Sequence, residues 1–209
     1  MKLYYSPRAC SLAPHIALRE LGLPFELERV DLRTKRTESG KDYWTVNPKG
    51  YVPALELDDG FVLTEVAAVL QYLADLVPEK ELAPRWGTRE RYELQAWLHF
   101  VGSELHKAFG ALFAPHTEEQ KEAQLAKIGR RLDWVETELA KRPWLVGDRY
   151  SVADIYLFVI TSWSERFGID PTRWPALLAW RQRIAGRPAV LAAWEAEKAP
   201  ARAGQPAGV

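Results

Sequence analysis

The 209-residue sequence predicts an α/β unit followed by an all-helical one, and three observations carry the prediction. Strand-like runs, with period-two alternation or β-rich composition, lie only before position 64. Beyond position 87 the apolar residues recur at helical spacing in long segments broken at Pro115, Pro143, Pro171 and Pro188. Between the two regimes, Val77-Pro78 to Trp86-Gly87 is polar and proline-bearing, the best linker candidate in the chain. The expected division is 1–77 for the α/β unit, 78–87 for the linker, 88–198 for the helical unit and 199–209 for a flexible Ala/Gly/Pro-rich tail.

Taken in order, Lys2 to Tyr5 reads as a short strand closed by Ser6-Pro7. A helix follows, with Ser11 as its expected N-cap, Pro14 in the tolerant first turn, Ile16, Ala17, Leu18 and Leu21 as its apolar face, and Gly22 as its stop. Phe25 to Val30 alternates and reads as a second strand, and a strand-helix-strand unit implies a parallel pair with a right-handed crossover. After a polar stretch from Asp31 to Asp42, the runs Val52 to Leu57 and Phe61 to Leu63, joined by Asp58-Asp59-Gly60, predict an antiparallel hairpin. A helix from Thr64 or Glu65 to about Leu76 completes the order βαβ then ββα, which is that of a thioredoxin-like half-domain. The later helices are expected over roughly 88–113, 118–140, 152–167, 174–185 and 189–197.

Lys+Arg and Asp+Glu each number 28, so no global field draws nucleic acid or an anionic membrane, and small molecules or proteins are the expected partners. One cysteine allows no internal disulfide, the N-terminus carries no apolar signal core, and no apolar run approaches the length of a membrane span. A cytosolic, soluble protein is the expectation. Seven of the nine Trp stand at Trp97 or later, chiefly as packing residues for the helical part.

The chemistry begins at Cys10. A sulfur at a helix N-terminus meets unpaired N–H groups and the positive end of the helix dipole, both of which stabilise thiolate. A lone cysteine is equally a small apolar core residue, and both readings stand. No second cysteine follows three positions on, so a reactive Cys10 needs an external thiol, of which glutathione is the abundant cytosolic one. Ser11 offers a hydroxyl donor beside it. Pro53 at a strand entry is read in two ways, as a cis bond that turns the Val52 backbone outward to pair with a peptide-like ligand, or as a trans residue blunting an edge. Thr64-Glu65-Val66 opens a helix whose first N–H groups suit a carboxylate while Glu65 suits an amine; Glu65 is equally an ordinary first-turn acid.

Together these residues resemble the glutathione transferases, specifically the bacterial cysteine-type (beta) class. The resemblance rests on Tyr4-Tyr5-Ser6-Pro7 with Ala9-Cys10-Ser11-Leu12, Asn47-Pro48-Lys49-Gly50 with Val52-Pro53-Ala54-Leu55, Leu63-Thr64-Glu65, Gln71-Tyr72-Leu73 and Glu104-Leu105-His106-Lys107, and it runs to about Trp194. It implies a thioredoxin-like domain with cis Pro53, an all-helical second domain, a homodimer, and glutathione as co-substrate with no further cofactor or metal. It also implies glutathione conjugation to hydrophobic electrophiles, with thiol-disulfide exchange at Cys10 as a second possible chemistry. A non-catalytic protein that carries apolar ligands or docks a partner is the rival reading of the same fold. The implied catalytic groups are Cys10, Ser11 and His106. Glutathione would meet Cys10, Lys35, the Val52 backbone, Pro53, Glu65, Val66, His99, Ser103, Glu104, Leu105 and His106. Val66 stands where the wider superfamily often has Ser, and His99 where the class commonly has Asn.

His99, Ser103 and His106 are spaced to share one helix face, and the two histidines are about 10 Å apart along the axis at ~1.5 Å per residue, too far to share a metal ion. An isolated pair of this kind is often only exposed or capped; the resemblance places His106 in the active-site cleft near Cys10. Phe109, Phe113 and Trp163 are candidates for the walls of the electrophile pocket and equally for the core. Ser151-Val152-Ala153-Asp154 is a capping box, flanked by Tyr150 and Ile155 in staple positions, and is assigned to folding at a cost of about 1 kcal/mol on loss.

Overall fold

The early strands come together in one sheet in the computed structural model, which describes residues 1–198; the tail expected over 199–209 lies outside the described residues. β1 (Lys2–Tyr5) pairs in parallel with β2 (Glu26–Asp31), Leu3 opposite Leu27, and α1 (Leu12–Leu21) makes the crossover. On the far side of β2 lies β3 (Arg36–Thr37), antiparallel to it. β4 (Ala54–Glu56) pairs antiparallel with β1, Leu55 opposite Leu3, and β5 (Val62–Thr64) closes the hairpin, giving the order β3-β2-β1-β4-β5. Gly60 takes a φ of 85° in the hairpin turn, a region that L side chains rarely adopt.

β3 has no signature in the sequence because two polar residues show no alternation. Side chains hold it instead: the Ser39 N–H and hydroxyl donate to Glu28, and the Ser39 and Thr37 hydroxyls share a hydrogen bond. Ser11 corrects another expectation. It has helical dihedrals (φ −61°, ψ −16°) and makes no side-chain cap, because the chain is already turning from Ser6 onward. Gly22 ends α1 as expected, in the left-handed region (φ 70°), with its N–H on the Arg19 carbonyl. The apolar face of α1 is fully buried over Leu12, Ala13, Ile16, Ala17 and Leu18.

α2 (Val66–Leu76) leads from the sheet into a second compact unit, which runs from Ala74 to Arg187. It contains α3 (Arg89–Phe100), α4 (Lys107–Ala111), α5 (Glu118–Leu139), α6 (Val152–Thr161) and α7 (Pro175–Ala185). Every residue of α6 is buried, so it forms the axis of this unit, with Trp180 of α7 fully enclosed beside it. Asp154 in its first turn accepts from the Ser151 N–H and hydroxyl, the Leu145 N–H and the Trp180 indole N–H, so the sequence's capping box is the centre of a network joining three segments. The helix expected over 88–113 is divided by a π-helical turn, Val101–His106, between α3 and α4. An uninterrupted apolar pattern gives no warning of one added residue per turn.

The helical stretch expected over 88–198 also divides in space. α8 (Pro188–Lys198) belongs with the sheet-bearing unit, Met1–Leu73, where its buried Val190, Ala193 and Glu197 pack against α1. Among the described residues, no helix is long and apolar enough to cross a membrane.

Candidate active site

Cys10 ends a tight loop. The Ala9 N–H donates to the Ser6 carbonyl, and the Leu12 and Ala13 N–H groups fold back onto Ala9 and Cys10 to begin α1. The thiol is 8% exposed, and its sulfur donates to the Val52 carbonyl at 3.2 Å. Burial pushes the thiol up to about 12; the Cys10 and Ser11 backbone N–H groups pull it down, and the Glu65 charge adds to the rise. The expected ease of ionisation is therefore corrected: the helix end acts in the expected direction, but loss of hydration outweighs it. Cys10 is a neutral donor at physiological pH.

Ser11 is fully buried, and its hydroxyl is committed to the loop, accepting from the Ser6 N–H at 3.1 Å and donating to the Ser6 carbonyl at 3.3 Å. It braces the Cys10 loop.

The opposite wall comes from the segment entering β4. The Val52–Pro53 bond is cis, as the first of the two readings has it. The Val52 N–H has no hydrogen-bond partner among the described residues. Asn47, 2% exposed, donates its side-chain amide to the Tyr51 carbonyl and accepts from the Lys49 N–H, and the Tyr43 hydroxyl donates to the same Tyr51 carbonyl. Lys35 reaches this segment: its Nζ donates to the Gly50 carbonyl at 2.8 Å and lies 5.6 Å from the centre of the Trp44 ring. A Cβ on Gly50 would stand 2.6 Å from that ring, and Gly50 has a φ of 67°, so glycine is required there.

Glu65 stands between β5 and α2 in the left-handed region, with a φ of 71°, a conformation that side-chain-bearing residues hold only under constraint. Its carboxylate is exposed and paired with the Lys49 ammonium, which also donates to the Thr64 hydroxyl. Lys49 lies within a motif read from the sequence, yet local spacing does not indicate that its side chain neutralises Glu65. Val66, 5% exposed, opens α2 immediately after.

In the helical unit the π-helical turn separates residues expected on one stripe. His99 and Ser103 are exposed and bonded along their own helix, Nδ1 to the Gln95 carbonyl and Oγ to the His99 carbonyl. Glu104 is drawn to Arg131, and Leu105 is a fully buried core residue, so its side chain offers no contact surface. His106 alone turns into an aromatic cluster, with Nδ1 at 2.7 Å from the Tyr156 hydroxyl and its ring 5.3 Å from that of Trp163. Phe113 packs edge-on to Trp163 at 5.2 Å and is 47% exposed, whereas Phe109 is fully buried core. Tyr156 carries no signal in the sequence, because inside a largely apolar helix a tyrosine reads as packing. Among the described residues no group of three or more His, Cys, Asp or Glu side chains is placed to hold a metal ion.

Comparison with known proteins assigns a family to each of the two units. The family described as glutathione S-transferase, N-terminal domain, matches residues 8–76, and the glutathione S-transferase C-terminal domain matches residues 100–188. Glutathione S-transferase GstA of Escherichia coli O157:H7 is 46% identical over 94% of this chain and 98% of its own. A sphingomonad glutathione S-transferase solved in complex with glutathione is 51% identical, covers 96% of this chain and 100% of its own, and superposes with a TM-score of 0.93. The bacterial beta class glutathione S-transferase of Sphingomonas chungbukensis is 52% identical over 94% and 98% of the two chains, with a TM-score of 0.92.

Proposed function

The chain belongs to the glutathione S-transferase family, and from that premise we propose that it conjugates the glutathione thiolate to hydrophobic electrophiles with Cys10 as hydrogen-bond donor to the reacting sulfur. The observation that carries this reading is the Cys10 thiol itself, neutral through burial and already donating to the Val52 carbonyl. Beside an anionic sulfur the same S–H exchanges a carbonyl acceptor for a charged one, and hydrogen bonds to ions are the stronger kind. Free thiols ionise near 8.5, and each unit of lowering needs about 1.4 kcal/mol of preferential stabilisation of the anion, within reach of one or two donors and a helix end.

The rest of the tripeptide has partners on the same unit. The Val52 N–H suits strand-like pairing with the peptide portion, the first N–H groups of α2 suit the γ-glutamyl carboxylate, and Glu65 suits its ammonium. Lys49 now holds Glu65, so an incoming ammonium must share or displace that ion pair. Lys35 is the group for the distal carboxylate. Within the helical unit, His106 offers a polar group beside Trp163, and Phe113 and Trp163 offer apolar surface of the kind a hydrophobic electrophile suits. Ser11 positions the Cys10 loop. Homodimeric assembly is part of the same reading.

Steady-state conjugation of an aromatic halide tests the proposal. The wild-type protein should turn it over, Cys10→Ala should lose about tenfold in kcat/KM, and Cys10→Ser, which keeps a donor, should lose much less. Wild-type protein without turnover at saturating glutathione, or a Cys10→Ala variant as active as wild type, overturns it. Exchange through a mixed disulfide at Cys10 is the lesser chemistry here, because a buried neutral thiol is a poor nucleophile.

A further inference from the structure

A buried charged network lies at the α1–α8 junction, outside the groups assigned to glutathione. His15 is fully buried and Glu197 is 5% exposed, and His15 Nδ1 stands 3.0 Å from Glu197 Oε1. Arg19 Nε donates to His15 Nε2 at 2.9 Å. An arginine only donates, so Nε2 is the acceptor, the imidazole proton resides on Nδ1, and that N–H donates to Glu197. The second carboxylate oxygen, Oε2, accepts from the Arg8 N–H at 2.9 Å. Arg8 is two residues before Cys10 and sits in the left-handed region, with a φ of 62°. A side-chain-bearing residue keeps that conformation only where its surroundings fix it.

We propose that Glu197 is a positioning residue for the Cys10 thiol, with α8 acting as a strap whose carboxylate holds the Arg8 peptide and so aims the loop from Ser6 to Cys10. Ser11 braces this loop from within; Glu197 holds it from the last described helix, and His15 and Arg19 hold Glu197. The two braces meet at the same short turn. Loss of the strap frees Arg8 to leave its left-handed conformation, and the thiol's alignment toward its acceptor goes with it. The significance of this alignment rests on the reading of Cys10 as donor to the reacting sulfur, but the thiol's accessibility can be read without glutathione.

The decisive variant is Glu197→Gln. A carboxylate accepts at both oxygens, whereas an amide offers one acceptor and one donor, so in either orientation it presents an N–H to the Arg8 N–H or to the His15 Nδ1–H. Cys10 in the folded variant should react about tenfold faster than wild type with a neutral alkylating reagent at fixed mildly alkaline pH, through more frequent local opening. Val190→Ala, on the same helix and away from Arg8, should lower stability and leave that rate within about twofold. An unchanged rate in Glu197→Gln, or equal acceleration in both variants, overturns the proposal. Amide hydrogen exchange on wild-type protein covers a Glu197→Gln variant that fails to fold: the Arg8 N–H should be as protected as the buried amides of α8, and exchange at an open-loop rate overturns the strap. A protein lacking conjugation activity yet passing these tests refutes only the proposed function.

Discussion

The Cys10 sulfur donates to the Val52 carbonyl oxygen across 3.2 Å, joining the loop before α1 to the segment before β4. These two segments are 42 residues apart in sequence, and β1, which precedes the first, and β4, which follows the second, are paired in the sheet. The sheet thus fixes the distance at which the only cysteine of the chain finds its acceptor.

The thiol should behave as a weak acid. Burial raises it from an ordinary 9.0 to about 12, so its contribution to stability is fully present below the lower value and is lost as pH rises through that window, where the unfolded chain ionises first. Alkylation of the folded protein by a neutral reagent should quicken about tenfold per pH unit from neutrality upward with no plateau near neutrality. Denaturant midpoints should fall over the same alkaline range, more in wild type than in Cys10→Ala. A rate that levels off near pH 7 contradicts the burial argument.

The fold was legible where local pattern and tertiary need coincide. Alternation marked β2, strand-like runs marked β1 and the hairpin, Gly22 marked the end of α1, and Pro53 marked the strand entry. The site was legible in its residue types, and less so in their states. Cys10's ionisation depends on how much water its neighbours exclude, and Ser11's role depends on where the Ser6 peptide lies; both are set by packing. His106 faces its cluster because a π-helical turn shifts the helix register, which an apolar repeat does not encode. Glu197 read as one more charge on the last helix, because its partners lie 182 and 189 residues earlier.

Ser11→Ala separates bracing from catalysis. The hydroxyl is buried and satisfies both the N–H and the carbonyl of Ser6, so its removal should cost about 1–3 kcal/mol of unfolding free energy. Conjugation measured well below the unfolding temperature should stay within about threefold of wild type, since both bonds of the hydroxyl go to the Ser6 peptide. Loss of turnover without loss of stability would return Ser11 to the chemistry.

Asp154 should matter more than a lone helix cap. Four donors from Leu145, Ser151 and Trp180 converge on a fully buried carboxyl, which burial raises and these donors hold down. Asp154→Ala leaves buried donors unmatched in three segments and should cost at least about 3 kcal/mol, against about 1 kcal/mol for Ser151→Ala. Asp154→Asn should fall between, since its single carbonyl serves only part of the set. Chemical denaturation of the three variants gives the order, and glutathione affinity at low temperature should not change in any that folds.

Tyr156 should tune His106 without carrying stability. Its hydroxyl lies 2.7 Å from His106 Nδ1, and the two rings meet at 89° with centroids 5.8 Å apart. This bond to the hydroxyl fixes the orientation of the imidazole ring. Tyr156→Phe keeps the ring in a site that is 3% exposed and removes only the hydroxyl, so the packing contribution survives. The imidazole ring is then no longer held in its orientation by Tyr156. Turnover with a fixed electrophile should fall about three- to tenfold in kcat, while KM for glutathione changes little and the melting temperature stays within a few degrees. A variant with unaltered kcat would leave Tyr156 a packing residue and remove His106's orientation from the catalytic account.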